Sequence, residues 1–192
     1  MKKITLAALA LFGLIFSASA QIQKGNVLIG GDLANLQLSL EKGGNFQFNI
    51  MPKAAWFIQD NVALGGYANL GLSTYKGGGT TTTYGIGALG RVYSGAGSEI
   101  VKHTRFFGEA NLGFEGANYA GTGGNTNGLG FGVGPGLAYF VTPSIGLETL
   151  LKYNGIVGFG NNTYSSNIGL NFGFQVYLPG RATAAKVRGD MR

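Results

Sequence analysis

The residues able to do chemistry are few and widely spaced. His103 is the sole histidine and there is no cysteine. A Ser-His-acid site would have to assemble around that one ring, and a thiolate metal site is excluded. Ser98 and Glu99 lie near His103 in sequence, but all three fall in a connecting segment with no scaffold to hold them, so a solvated loop histidine and no catalysis are expected. Glu109 and Glu115 resemble a carboxylate pair only on paper. Six residues apart on one strand, they stand about 20 Å apart at roughly 3.4 Å per residue, too far for glycosidase chemistry. The run Gly128–Gly134 lacks the Lys-Ser/Thr and following helix of a phosphate loop and reads as a glycine-lined strand. Arg188-Gly189-Asp190 is read as a chance tripeptide. Neither metal nor cofactor is implied.

The elements that would position such residues are unusual. Of 192 residues, 36 are Gly, 45% are apolar and only 11% are charged, against roughly 25% charged and about 7% Gly in a soluble domain. Glycine at this level argues against long helices. The chain instead alternates apolar and polar residues in segments of 12–15 residues separated by Gly/Asn/Thr/Ser clusters, which predicts eight strands: Asn26–Leu38, Asn45–Ile58, Val62–Tyr75, Thr81–Tyr93, Arg105–Tyr119, Asn127–Phe140, Ile145–Phe159 and Tyr164–Leu178. In the last, Ile168, Leu170, Phe172, Phe174, Val176 and Leu178 share one face, while Asn, Gly, Gln and Tyr fill the other. The first is irregular: its apolar face switches near Asn35, as a bulge would require.

The charges decide which face is inside. Asp32, Lys53, Arg91, Glu109, Glu115, Glu148 and Lys152 all fall on the face that is otherwise Gly, Asn and small residues. A soluble barrel would point its charges outward and its apolar face inward. Here the polar, glycine-rich face reads as a crowded lumen in which charges pair because unpaired buried charge is costly. The apolar face is left to meet lipid. Strands in lipid must close so that every backbone group is bonded, and 9–11 residues suffice to span. The fold class predicted is an all-β, eight-stranded antiparallel up-and-down transmembrane barrel. Its aromatic girdle would comprise Trp56, Tyr139, Phe106 and Phe174 at one rim. Phe46, Tyr75, Tyr119, Phe159 and Tyr164 would form the other.

Organisation follows. Residues 1–20 read as a signal peptide, with Lys2 and Lys3, an apolar run Ile4–Phe16 too short to span, and the small-residue site Ala18-Ser19-Ala20. Residues 21–179 form the barrel, and 180–192 a basic periplasmic tail. The formal charge of +6 comes mostly from the two ends; residues 21–179 hold eight bases against seven acids, with no clustered basic face of the kind nucleic acid requires. Gln59-Asp60-Asn61 and Val141–Ser144 are short enough for periplasmic turns. An echo at an offset of 83 residues aligns Pro52, Ala55, Trp56, Phe57 and Ile58 with Pro135, Ala138, Tyr139, Phe140 and Val141. It fits either a duplicated half-barrel or two hairpins meeting the same girdle-and-turn demand.

Several pieces carry a family resemblance: the first strand from Lys24 to Gly31, Pro52 through Trp56-Phe57-Ile58 into Val62-Ala63-Leu64-Gly65, and Arg105-Phe106-Phe107-Gly108-Glu109. On these the chain resembles the small OmpA/OmpX-like outer-membrane barrels, and more closely the Bacteroidetes-type outer membrane protein β-barrel domain. Asn171, Gly173, Val176 and Leu178 resemble the terminal signal read by the barrel-assembly machinery, with aliphatic rather than aromatic late positions. The resemblance implies an integral protein of the cell outer membrane, with lipid and that machinery as partners. The expected role is structural or surface-interacting. Because Gly130, Gly132, Gly134 and Gly136 leave lumen space, a narrow channel is the alternative, and a lipid-modifying enzyme a distant third.

Overall fold

The computed structural model describes residues 22–38, 46–75, 79–95, 103–119, 125–159 and 164–180. The predicted signal peptide, Ser98 and Glu99, and the tail beyond Gly180 lie outside these. Eight strands, β1 (Val27–Leu38), β2 (Phe46–Gln59), β3 (Val62–Tyr75), β4 (Gly79–Tyr93), β5 (Thr104–Tyr119), β6 (Asn125–Thr142), β7 (Ile145–Gly158) and β8 (Tyr164–Leu178), each pair antiparallel with the next. β8 returns to β1 in the register Val27↔Leu178 to Ala34↔Asn171, closing the barrel. The predicted boundaries fall within two residues of these.

Alternation sets the faces. Ile29, Trp56, Leu64, Ile86, Phe114 and Phe172 project outward as an exposed apolar belt. Their sequence neighbours turn into the lumen, where twelve polar or charged residues among the described ones are buried. This inside-out distribution is stable only where acyl chains replace water outside, and closure removes the free sheet edges that lipid would not tolerate. The protein is a transmembrane barrel of outer-membrane architecture. Among the described residues no helix is long and apolar enough to cross a membrane; the strands cross.

Three register shifts bend the barrel. One lies in β1 between Ala34 and Gln37, where the apolar face was expected to switch. The other two occupy equivalent places in the echoed hairpins. Phe57↔Ala63 is followed by Gln59↔Val62, and Phe140↔Gly146 by Thr142↔Ile145. Each hairpin therefore carries one extra residue, Ile58 or Val141, just before its turn. Plain alternation up to the bulge turns Phe57 and Phe140 into the lumen and leaves Trp56 and Tyr139 on the outside.

The end of the barrel with these tight turns also holds the segments that lead into β1 and out of β8. Ile22 is buried under it, and its carbonyl accepts a hydrogen bond from Asn61 N at 2.9 Å. Gly25 N donates to Phe57 O at 2.7 Å, and Gly180 N to Asn26 Oδ1 at 2.9 Å. Residues 22–26 thus form a cork that ties β1, β2 and the segment after β8 together.

Candidate functional site

The lumen is built in three layers, each set by strand register. Nearest the turn end is an aromatic layer. Phe140 and Tyr177 have ring centroids 5.0 Å apart, Tyr93 and Phe107 5.5 Å, and Phe57 and Tyr93 5.8 Å. Leu28, Ala55, Ala63, Ala138 and the corking Ile22 complete one buried cluster with them. Small residues on neighbouring strands leave the space that the rings fill: a Cβ at Gly136 would run into the Phe107 ring.

Across the middle lies an ionic layer. Arg91 and Glu109 face each other directly on β4 and β5, with Arg91 Nε 2.6 Å from Glu109 Oε2. Lys53 Nζ reaches the same oxygen at 2.9 Å and Asp32 Oδ2 at 2.6 Å. Lys152 Nζ takes Glu109 Oε1 at 2.8 Å. Arg91 Nη1 lies 2.7 Å from Glu148 Oε2, and its guanidinium stacks 4.4 Å above the Phe107 ring centre. Neutral donors complete the network: Tyr177 Oη donates to Glu148 Oε1 at 2.7 Å and Gln175 Nε2 to Asp32 Oδ1 at 3.1 Å. Every member is buried. Three cations meet three carboxylates, so the layer is charge-neutral, the condition under which buried charge is tolerable.

Glycines place these partners. Glu109 pairs with Gly134 on β6, and a Cβ there would collide with the β7 backbone at Leu151 and Lys152. Glycine between them lets Glu109 and Lys152 meet across an intervening strand. Gly173 pairs with both Asp32 and Glu148 in register, and its missing side chain leaves the space that the Asp32 carboxylate and the Gln175 amide occupy. The lumen glycines were expected to leave room for water and a conducting path. Along β6 they make room for neighbouring side chains instead: Glu115 over Gly130, Asn111 and Lys152 at Gly132, and Phe107 at Gly136.

Six of the seven charged residues singled out by sequence therefore meet in one network, although β-pairing brings only Arg91 and Glu109 face to face. Glu115 stands apart. It accepts a 2.6 Å hydrogen bond from Tyr67 Oη and lines a separate chamber in the half of the lumen away from the turns. Arg105 was missed as a lumen residue. It is buried, and it shares the inward parity of Phe107 and Glu109, the signal that would have found it.

Among the girdle residues, Trp56, Phe106, Tyr139 and Phe174 are exposed toward the turn end and Phe159 and Tyr164 toward the other. Tyr164 and Tyr153 join through their hydroxyls. Phe46, Tyr75 and Tyr119 end β2, β3 and β5, but their side chains lie outside those described. Of the terminal-strand residues, Asn171 is buried on the lumen side, Gly173 abuts Asp32, and Leu178 faces outward at the seam; Val176 pairs with Ile29 beside it. His103 is exposed at the turn end, its ring centroid 6.5 Å from that of Tyr139.

No protein-family model and no curated protein matches the chain. Solved structures do. Outer membrane protein H (OprH) from Pseudomonas aeruginosa aligns with 80% of this chain and 99% of its own, at TM-score 0.51 and 13% identity. Neisserial surface protein A aligns over 79% and 95%, at TM-score 0.48 and 22% identity. Ail, the attachment invasion locus protein of Yersinia pestis, aligns over 80% and 99%, at TM-score 0.44 and 12% identity. At such identities the likeness to OprH speaks for the fold alone: a small, eight-stranded β-barrel of the outer-membrane type.

Proposed function

We propose that this barrel is a closed, non-enzymatic protein of the outer membrane that acts in envelope structure or in contacts at the cell surface. The observation that carries the reading is the double blockade of the lumen. The neutral ionic layer and the aromatic layer lie in series, and the cork of residues 22–26 lies beneath them. An eight-stranded barrel has an interior just wide enough for side chains to fill, and here the aromatic and ionic layers fill its turn-end half and its middle. An even strand number puts both ends of the barrel, the cork and the tight turns on one side, which this reading takes as periplasmic, so that the four other connections lead outward.

The absence of catalysis is part of the proposal. It is supported by the exposed position of His103, whose ring lies against that of Tyr139. Placement among the OmpA/OmpX-like barrels, and within the Bacteroidetes-type group, rests on the sequence pieces from Lys24 to Gly31 and around Trp56. Asn171, Gly173, Val176 and Leu178 are proposed as the segment engaged by the barrel-assembly machinery during insertion. Planar-bilayer recording tests the closed reading: the purified protein is expected to give no discrete conductance. Reproducible current steps that change in Lys53→Ala or Arg91→Ala would establish a path through the lumen and overturn it.

A further inference from the structure

Above the ionic layer, the loop-end half of the lumen encloses a cavity of about 150 Å³. At roughly 30 Å³ for each water in the liquid, it has room for several waters. Its wall is rich in oxygen. Asn49, Asn69, Asn154, Asn167 and Asn171 face it, with Glu115 and the edge of Asp32.

The charges around it do not balance. All three cations of the ionic layer are engaged by Asp32, Glu109 and Glu148. Asp32 is held by Lys53 and Gln175. Among the described residues Glu115 is met by the Tyr67 hydroxyl, a neutral donor, and by no cation, and it lines the chamber. A carboxylate without a counter-ion is complementary to positive charge and repels anions.

We infer that this chamber binds a small hydrated cation, held by Glu115 and the asparagine oxygens through the cation's own water shell. Direct chelation is not the mode. Among the described residues no three His, Asp or Glu side chains come together as ligands, whereas a dehydrated Ca²⁺ takes six to eight oxygens. The chamber's size and its amide lining suit an ion that keeps its waters and exchanges hydrogen bonds with the wall.

Terbium is the probe, because its emission is excited through a nearby tyrosine and Tyr67 touches Glu115. The protein in dodecylmaltoside micelles is titrated with Tb³⁺ under tyrosine excitation, then with Ca²⁺ as competitor. The expected result is saturable emission displaced by Ca²⁺. Glu115→Gln should weaken binding at least tenfold, and Tyr67→Phe should dim the emission with little change in affinity. Asn154→Lys, which sets an ammonium on the same wall, should also abolish binding, and it carries the test should Glu115→Gln fail to fold. Tb³⁺ bound equally well by Glu115→Gln and Asn154→Lys would put the ion outside the lumen, and no saturable emission would leave the chamber to water alone; either overturns the inference. Neither outcome bears on conductance, so the closed-barrel reading stands or falls separately.

Discussion

At the scale of single residues, Glu109 holds the lumen together. It is the one carboxylate contacted by Lys53, Arg91 and Lys152. Glu109→Gln leaves three buried cations with two acids, and breaking a buried pair costs about 3–5 kcal/mol. The expected outcome is a loss of that size in urea unfolding of the micelle-embedded barrel. Glu115→Gln should cost about 1 kcal/mol or less, because a glutamine oxygen still accepts from Tyr67. The glycines divide in the same way. At Gly134 a Cβ meets the β7 backbone, which cannot step aside, whereas at Gly108 on the lipid side it meets nothing within 4 Å. Gly134→Ala should therefore lower stability by more than 1 kcal/mol, the lower end of overpacking costs, and Gly108→Ala should fall within about 0.5 kcal/mol of the parent. Equal effects at the two sites would mean that lumen glycine is filler rather than clearance. That clearance was not legible in the sequence. Gly130–Gly136 at alternate positions announces space, but what enters it comes from β5 and β7, and only the register names Glu115, Lys152 and Phe107.

At the scale of elements, alternation made the strands and their faces readable, because every in-strand charge except the overlooked Arg105 sat on a recognised polar face. The β1 bulge was readable too, since a parity switch at Asn35 has no other backbone solution. What alternation cannot supply is which residues meet across the lumen. Lys53 and Glu109 are 56 residues apart and Arg91 and Glu148 57; their meeting depends on how strands stagger around a closed sheet. The echo at 83 residues becomes physical at this scale, as the same bulge and the same inward phenylalanine recur in both hairpins. Their turns nonetheless differ. Asn61 sits at φ 65°, a left-handed conformation that Asn and Gly adopt readily and β-branched residues resist. Asn61→Gly should leave the midpoint of thermal unfolding nearly unchanged. Asn61→Val should cost about 1–2 kcal/mol and lower it by several degrees.

For the whole molecule, the governing asymmetry is that a neutralised ionic network lies inside and an uninterrupted apolar belt outside. Its depth in the membrane can be read by charging the belt. Ile86 is midway along β4, pairs with Ala68 and Phe114, and is 68% exposed. Ile58 is also exposed, at 44%, but adjoins the Asp60-Asn61 turn. An arginine on the lipid face costs about 2–4 kcal/mol at the bilayer midplane and about 0–1 kcal/mol near the interface. Ile86→Arg should therefore destabilise the barrel in phospholipid vesicles by several kcal/mol more than aqueous exposure would, while Ile58→Arg, able to extend its guanidinium to the headgroups, should cost little. In detergent, where the apolar shell yields more easily, the gap between the two should narrow. If both variants unfolded in vesicles at the parent's denaturant concentration, the outward apolar face would not be in contact with acyl chains, and the inside-out arrangement would need another occupant outside it.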